Sequence, residues 1–142
     1  MAGGAGDVTS AAVTDLRTTA SPLAIPTIRT IAADLAARAG FDLDSVDELR
    51  IAVDEACALL VQVAAPKAKL KCRFTVRLAR VELAAEVGID DIADPLPVGS
   101  VGWELLNCLA DEVNALVLPA EPREHGRVCI ALVKDRVTPQ RP

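Results

Sequence analysis

The sequence contains no tyrosine, one histidine, one tryptophan and two phenylalanines, so aromatic residues make up only 2% of its 142 positions. That scarcity removes the stacking platform of a single-stranded nucleic-acid reader, and a net charge of −5 removes the basic face that a phosphate backbone requires. A protein or a small ligand is the expected partner, not a nucleic acid. The lone histidine, His125, argues against a hydrolytic triad and against a histidine-based metal cluster. The cysteines Cys57, Cys72, Cys108 and Cys129 stand far apart without a C-x-x-C pair, each in an apolar periodic segment, and buried, reduced thiols are expected. Although 51% of the residues are apolar, no uninterrupted run reaches the roughly 20 residues of a membrane span, so no membrane partner is expected. Residues 1–7 lack the basic region, apolar region and cleavage site of a secretory signal, which makes the cytoplasm the expected location.

What the sequence does have is periodicity. The length suits one domain with a real core. Residues 1–7 are expected to be disordered, residues 8–136 to form the domain, and residues 137–142 to be a loose tail. Imperfect alternation of β-branched residues gives a first strand over 8–19. Ile28, Ile31, Leu35 and Ala39 then recur at helical spacing, with Pro26 suited to the first turn and Gly40 to the stop. Ser45, Val46, Asp47 and Glu48 read as a capping box opening a second helix, whose core stripe is Leu49, Val53, Ala56 and Leu60 and which Pro66 ends.

From Leu70 the period changes to two. Leu70, Cys72, Phe74, Val76 and Leu78 face one way, and Val81, Leu83, Ala85, Val87 and Ile89 repeat the pattern after a turn near Ala79 and Arg80. These predict an antiparallel hairpin. Residues 90–99 form an acidic, proline-bearing loop; a third helix starts near Ser100 with Leu105, Leu106, Leu109 and Val113 on its apolar face. Strands over 114–118 and 127–134 complete the chain. The implied fold is a two-layer α/β sandwich, with helices covering one face of a mostly antiparallel sheet. The other face carries many charges and is open to pairing with another subunit.

Three features can carry chemistry. Glu55 lies mid-helix near Ile51, Ala52 and Leu59, and a carboxylate beside apolar surface suits a general base. Its spacing of seven from Glu48 and Gln62 equally suits a solvated edge, which periodicity alone favours. Gly99 and Gly102 flank a helix start, where backbone amides approach a phosphate and the helix dipole assists. Such glycines more often only shape a loop, with Ser100 as a plain cap. Trp103 suits either core packing or a partner surface.

The segment 49–57, L-R-I-A-V-D-E-A-C, resembles the glutamate-motif helix of anti-sigma-factor serine kinases, a branch of the superfamily of histidine kinases and gyrase. Residues 99–113, G-S-V-G-W-E-L-L-N-C-L-A-D-E-V, are similar to that branch's second glycine box and following helix, and residues 36–40 to the end of its first helix. The likeness spans residues 8–134. It implies the histidine-kinase-like ATPase (Bergerat) fold and a protein that holds a sigma factor from RNA polymerase until an anti-anti-sigma antagonist releases it. Active members of the branch are homodimers that bind ATP with magnesium and phosphorylate a serine or threonine of the antagonist. By motif position the resemblance makes Glu55 the catalytic base, places Asp90, Gly99 and Gly102 at the nucleotide, and puts Arg29 where sigma factor and antagonist bind in turn.

Departures from that pattern are specific. Leu59 stands where the branch has a magnesium-ligating asparagine, and it offers no oxygen to a hard cation. Ile92 and Asp94 replace the glycines of the first glycine box, and Asp94 brings negative charge towards a triphosphate. Phosphoryl transfer rests on positioning and charge neutralisation, so weak or absent kinase activity is expected. Two alternatives stay open. One is a working serine/threonine kinase with Asp54 or Asp90 as substitute ligand, and the other is a plain α/β domain with an unrelated ligand.

Overall fold

The structure, a computed structural model, describes residues 11–90, 96, 99–121 and 125–137. Its elements run β1 (Ala12–Thr19), α1 (Ile25–Arg38), α2 (Leu43–Val63), β2 (Lys69–Arg77), β3 (Arg80–Ile89), α3 (Val101–Leu109), β4 (Glu112–Leu118) and β5 (Gly126–Asp135), with one 3₁₀ turn at Pro22–Ala24. This is the expected order. The five strands form one sheet in the order β1-β2-β3-β5-β4, antiparallel at every pairing. The central helix α2 packs on β3 and β5 and is flanked by α1 and α3.

Period-two patterning decides the sheet. Leu70, Cys72 and Phe74 on β2, all the odd residues from Val81 to Ile89 on β3, and Val128, Ile130 and Leu132 on β5 turn inward and are buried. Above them, Leu49, Ala52, Val53, Ala56, Cys57, Leu59 and Leu60 of α2 complete the core. Leu78 departs from expectation: it sits in the turn between the paired Arg77 and Arg80 and is 90% exposed. Ala79, the second central residue of that turn, takes φ 61°, the left-handed geometry that a type II turn places at this position.

Helix ends show the other corrections. The N-cap of α2 is Asp42, not Ser45: the amide of Ser45 donates to Asp42 Oδ1 at 2.8 Å, and Ser45 is itself buried within the first turn. On α1 the most buried line is Ile28, Ala32 and Ala36, with Ile31, Leu35 and Ala39 only half-buried beside it, so the stripe is rotated by one residue from the expected one. Gly40 stops that helix at φ 84°, its amide bonding Ala37 O and that of Phe41 bonding Ala36 O. Val113, expected on α3, belongs to β4, because the helix ends at Leu109 and Lys134 Nζ caps it by donating to Leu109 O at 2.7 Å. Cys57 and Cys72 are buried and free, but Cys129 is half-buried and Cys108 exposed. Contact with Cys72 and then burial push the Cys57 thiol well up, so it stays protonated. Of the first strand, residues 8–10 lie outside the described residues, as do residues 1–7 and 138–142.

Leu60→Ala, at a fully buried position, is expected to lower the unfolding free energy by about 2–5 kcal/mol, read as a shifted urea midpoint at unchanged slope. Hydrogen bonds from Ser45 hold the Asp42 carboxyl below its ordinary 3.8. A depressed folded-state value stabilises the protein above the unfolded value and loses that contribution as pH falls through the folded one. Asp42→Asn keeps the cap but not the titration. Its urea midpoint should therefore fall less than that of the parent chain between neutral pH and pH 3.

Candidate functional site

The middle of α2 lies between two other helices, and this sets what its polar residues meet. Asp54 and Glu55 are neighbours in sequence but point 100° apart, Asp54 towards α1 and Glu55 towards α3. Arg29 of α1 donates through Nη1 to Asp54 Oδ2 at 2.9 Å, both side chains about one-third exposed, at 35% and 32%. The second oxygen, Asp54 Oδ1, is buried and has no hydrogen-bond partner. Arg29 is thus held outward by a half-buried carboxylate and is not a freely moving surface charge.

On the opposite flank Glu55 closes on α3. A Cβ added to Gly102 would stand 2.6 Å from Glu55 Oε2 and 3.0 Å from Glu55 Cδ, so only glycine allows this approach. Glu55 is half-buried, which is neither a dry pocket nor a solvated edge. Glu48, on the same seven-residue spacing, is engaged by Lys134 Nζ at 3.4 Å, while Gln62 is exposed. Gly99 takes φ 95° and nothing lies within 4 Å of the place a Cβ would occupy, so its glycine serves backbone conformation. Ser100 caps α3, accepting from Trp103 N at 3.2 Å, and half-buried Trp103 packs against the core edge.

The structure therefore brings Glu55 and Gly102 together and puts Arg29 on the far side of the same helix. Asp90 follows the end of β3, exposed, and lines a different cavity with Arg17, Lys67 and Lys71, one that includes neither Glu55 nor Gly102. Ile92 and Asp94 lie outside the described residues. The Arg29–Asp54 pair was not foreseen from the sequence, since 25 positions separate its members.

Whether these residues fit magnesium and a nucleotide is a question of donors. Leu59, one turn beyond Glu55, is 5% exposed and belongs to the hydrophobic core. An aliphatic side chain supplies no oxygen, and a hard divalent cation takes oxygen ligands almost exclusively. Asp54 Oδ2 is taken by Arg29, and the near face of Gly102 is covered by a carboxylate that would repel phosphate. Among the described residues no three acidic, histidine or cysteine side chains cluster to hold a metal. Among the described residues the donor set around Glu55 does not fit a magnesium nucleotide.

Comparison with known proteins agrees with the architecture. The histidine kinase-like ATPase domain family matches residues 18–134, most of the chain. Two curated proteins, the anti-sigma-F factors RsbW of Mycobacterium tuberculosis strains CDC 1551 / Oshkosh and ATCC 25618 / H37Rv, are each 33% identical to it over 103 residues. The aligned segment covers 71% of this chain and 60% of theirs, so the chain spans less than two-thirds of the length of these relatives.

The Glu55–Gly102 approach is testable by a double-mutant cycle. Gly102→Ala should leave stability nearly unchanged in the parent chain, where helix propensity gained is offset by displacement of the Glu55 carboxylate. In a Glu55→Ala background it should stabilise, giving a coupling of about 1 kcal/mol in denaturant titrations.

Proposed function

The chain belongs to the histidine kinase-like ATPase domain family, and from that membership, together with its likeness to anti-sigma-F factors, we propose that it is an anti-sigma factor. It sequesters an alternative sigma factor, and an anti-anti-sigma antagonist competes for the same face to release it. The reading carries with it a cytoplasmic homodimer without nucleic-acid or membrane partners. Among the described residues no helix is long and apolar enough to cross a membrane.

The observation that carries this reading over the kinase alternative is Leu59. A serine/threonine kinase of this family needs a cation to neutralise charge on the transferred phosphoryl group. Here the place for its ligand is packed into the core beneath α2. Sequestration needs only an outward surface. The Arg29 guanidinium, one-third exposed and pinned by Asp54, offers a directed donor fork to a partner carboxylate or carbonyl at little entropic cost. Glu55 in this reading orders α3 against α2 and does not act as a base.

Binding of the full chain to each purified alternative sigma factor of its host tests the assignment. Arg29→Glu should weaken the complex about tenfold or more, with an accompanying loss of folding stability of about 1 kcal/mol or less from facing Asp54. Glu55→Ala should leave the affinity within about twofold of the parent, because the Glu55–Gly102 contact and the Arg29 face lie on opposite flanks of α2. Undiminished binding by Arg29→Glu, or loss of binding in a folded Glu55→Ala protein, contradicts the proposal.

A further inference from the structure

The outer face of the sheet carries a charge imbalance that the fold itself does not neutralise. Cross-strand neighbours on this face are matched in one row: Arg73 lies opposite Asp15 and donates to it twice, at 2.8 and 2.9 Å, holding the Asp15 carboxyl below its ordinary range. In the next row Arg17 lies directly opposite Lys71, a like-charge pair that destabilises a sheet. Lys69 follows along β2, Lys67 sits just before it in the loop at φ 64°, and Arg127 approaches from β5. Together these cations line a cavity of about 630 Å³.

Its carboxylates do not balance them. Glu86 is engaged by Arg127 at 3.1 Å and Asp90 stands at the rim, which leaves five cations against two acids in a chain whose net charge is −5. Among the described residues Arg17, Lys67 and Lys71 make no ion pair. A second observation points into the same space. Gly88, in the middle of the wall, has no left-handed φ, and a Cβ built on it would meet only Gly126 O, at 3.9 Å. No described atom crowds that position, and a strand glycine without a left-handed φ is a feature of places where another molecule comes close.

We propose that this cavity binds a compact polyanion of linked phosphoryl groups, held by Arg17, Lys67, Lys69, Lys71 and Arg127 above Gly88. The excess of three positive charges suits a di- or triphosphate chain, and the volume exceeds what one phosphate ion fills. The only ring among its described lining residues is the imidazole of His125, with no phenylalanine or tryptophan beside it, so a nucleobase finds at most one small stacking surface. The cations come from β1, the α2–β2 loop, β2 and β5, and so surround a compact charge instead of tracking an extended chain. The cavity is separate from the Glu55–Gly102 contact, and the inference does not depend on the anti-sigma reading.

Calorimetric titration of the full chain with inorganic tripolyphosphate, in magnesium-free buffer at low salt, tests it. Saturable 1:1 binding is expected, weakened about tenfold or more in Arg17→Glu, Lys71→Glu and Gly88→Val, and unchanged in Glu55→Ala. Arg17→Glu creates an opposite-charge pair with Lys71, so its thermal midpoint should hold or rise while binding falls; a purely structural role would lower both. Absence of saturable binding overturns the proposal, as does binding insensitive to the charge reversals. Equal loss in Glu55→Ala would move the ligand to the Glu55–Gly102 flank of α2, and tighter binding of a hexaglutamate peptide would reject the phosphate class; either result also overturns it.

Discussion

Everything in this molecule hangs on how α2 is buried. A helix of 21 residues lies across the middle of the sheet, with Leu49, Val53, Ala56 and Leu60 inserted over β3 and β5 and no exposure at any of them. Burying four such side chains fixes both the position of the helix and its rotation about its own axis, because a turn of one residue would bring either Arg50 and Asp54 or Glu48 and Glu55 onto the sheet. Once the rotation is fixed, Asp54 must face α1 and Glu55 must face α3. The pairing with Arg29 and the approach to Gly102 follow from packing, not from any attraction between the polar groups themselves.

That constraint also separates two chemistries along one helix. The α1 flank keeps an arginine presented to solvent by a carboxylate whose second oxygen is orphaned, an arrangement suited to meeting another molecule. The α3 flank is closed by a carboxylate against a glycine, with a core leucine one turn away. In the proposed function the first arrangement serves recognition by surface, while the second is poorly equipped for a cation. A protein built this way can retain the ATPase architecture as a rigid carrier for a partner face, since a fold does not by itself specify chemistry.

Much of the architecture was legible because its signals are periodic. The switch from a 3.6-residue pattern around Leu49–Leu60 to strict alternation from Leu70 to Ile89 marks helix and hairpin without any tertiary knowledge. Ends were less legible. Asp42 and Ser45 carry equally good capping chemistry, and only the burial of Ser45 decides for Asp42. Val113 fits a helical spacing from Leu109 as well as it fits a strand, until Lys134 stops the helix. Long-range polar relations were not legible at all. Nothing in the sequence ties Arg29 to Asp54, or gathers Arg17, Lys71 and Arg127 around Gly88, because each relation depends on strand order and helix packing. Asp90 shows the reverse case, a residue placed by motif alignment that the fold sets beside lysines and arginines.

In the proposed function, partner binding is carried by the outward face of α1 and α2 without a magnesium nucleotide beside Glu55. Affinity of the full chain for its sigma factor, measured first with nucleotide and divalent cations stripped and then with saturating magnesium-ATP, bears on it most directly. The two affinities should agree within about twofold, since a ligand that distinguishes neither state shifts no equilibrium. A complex that forms only when magnesium-ATP is present would contradict it.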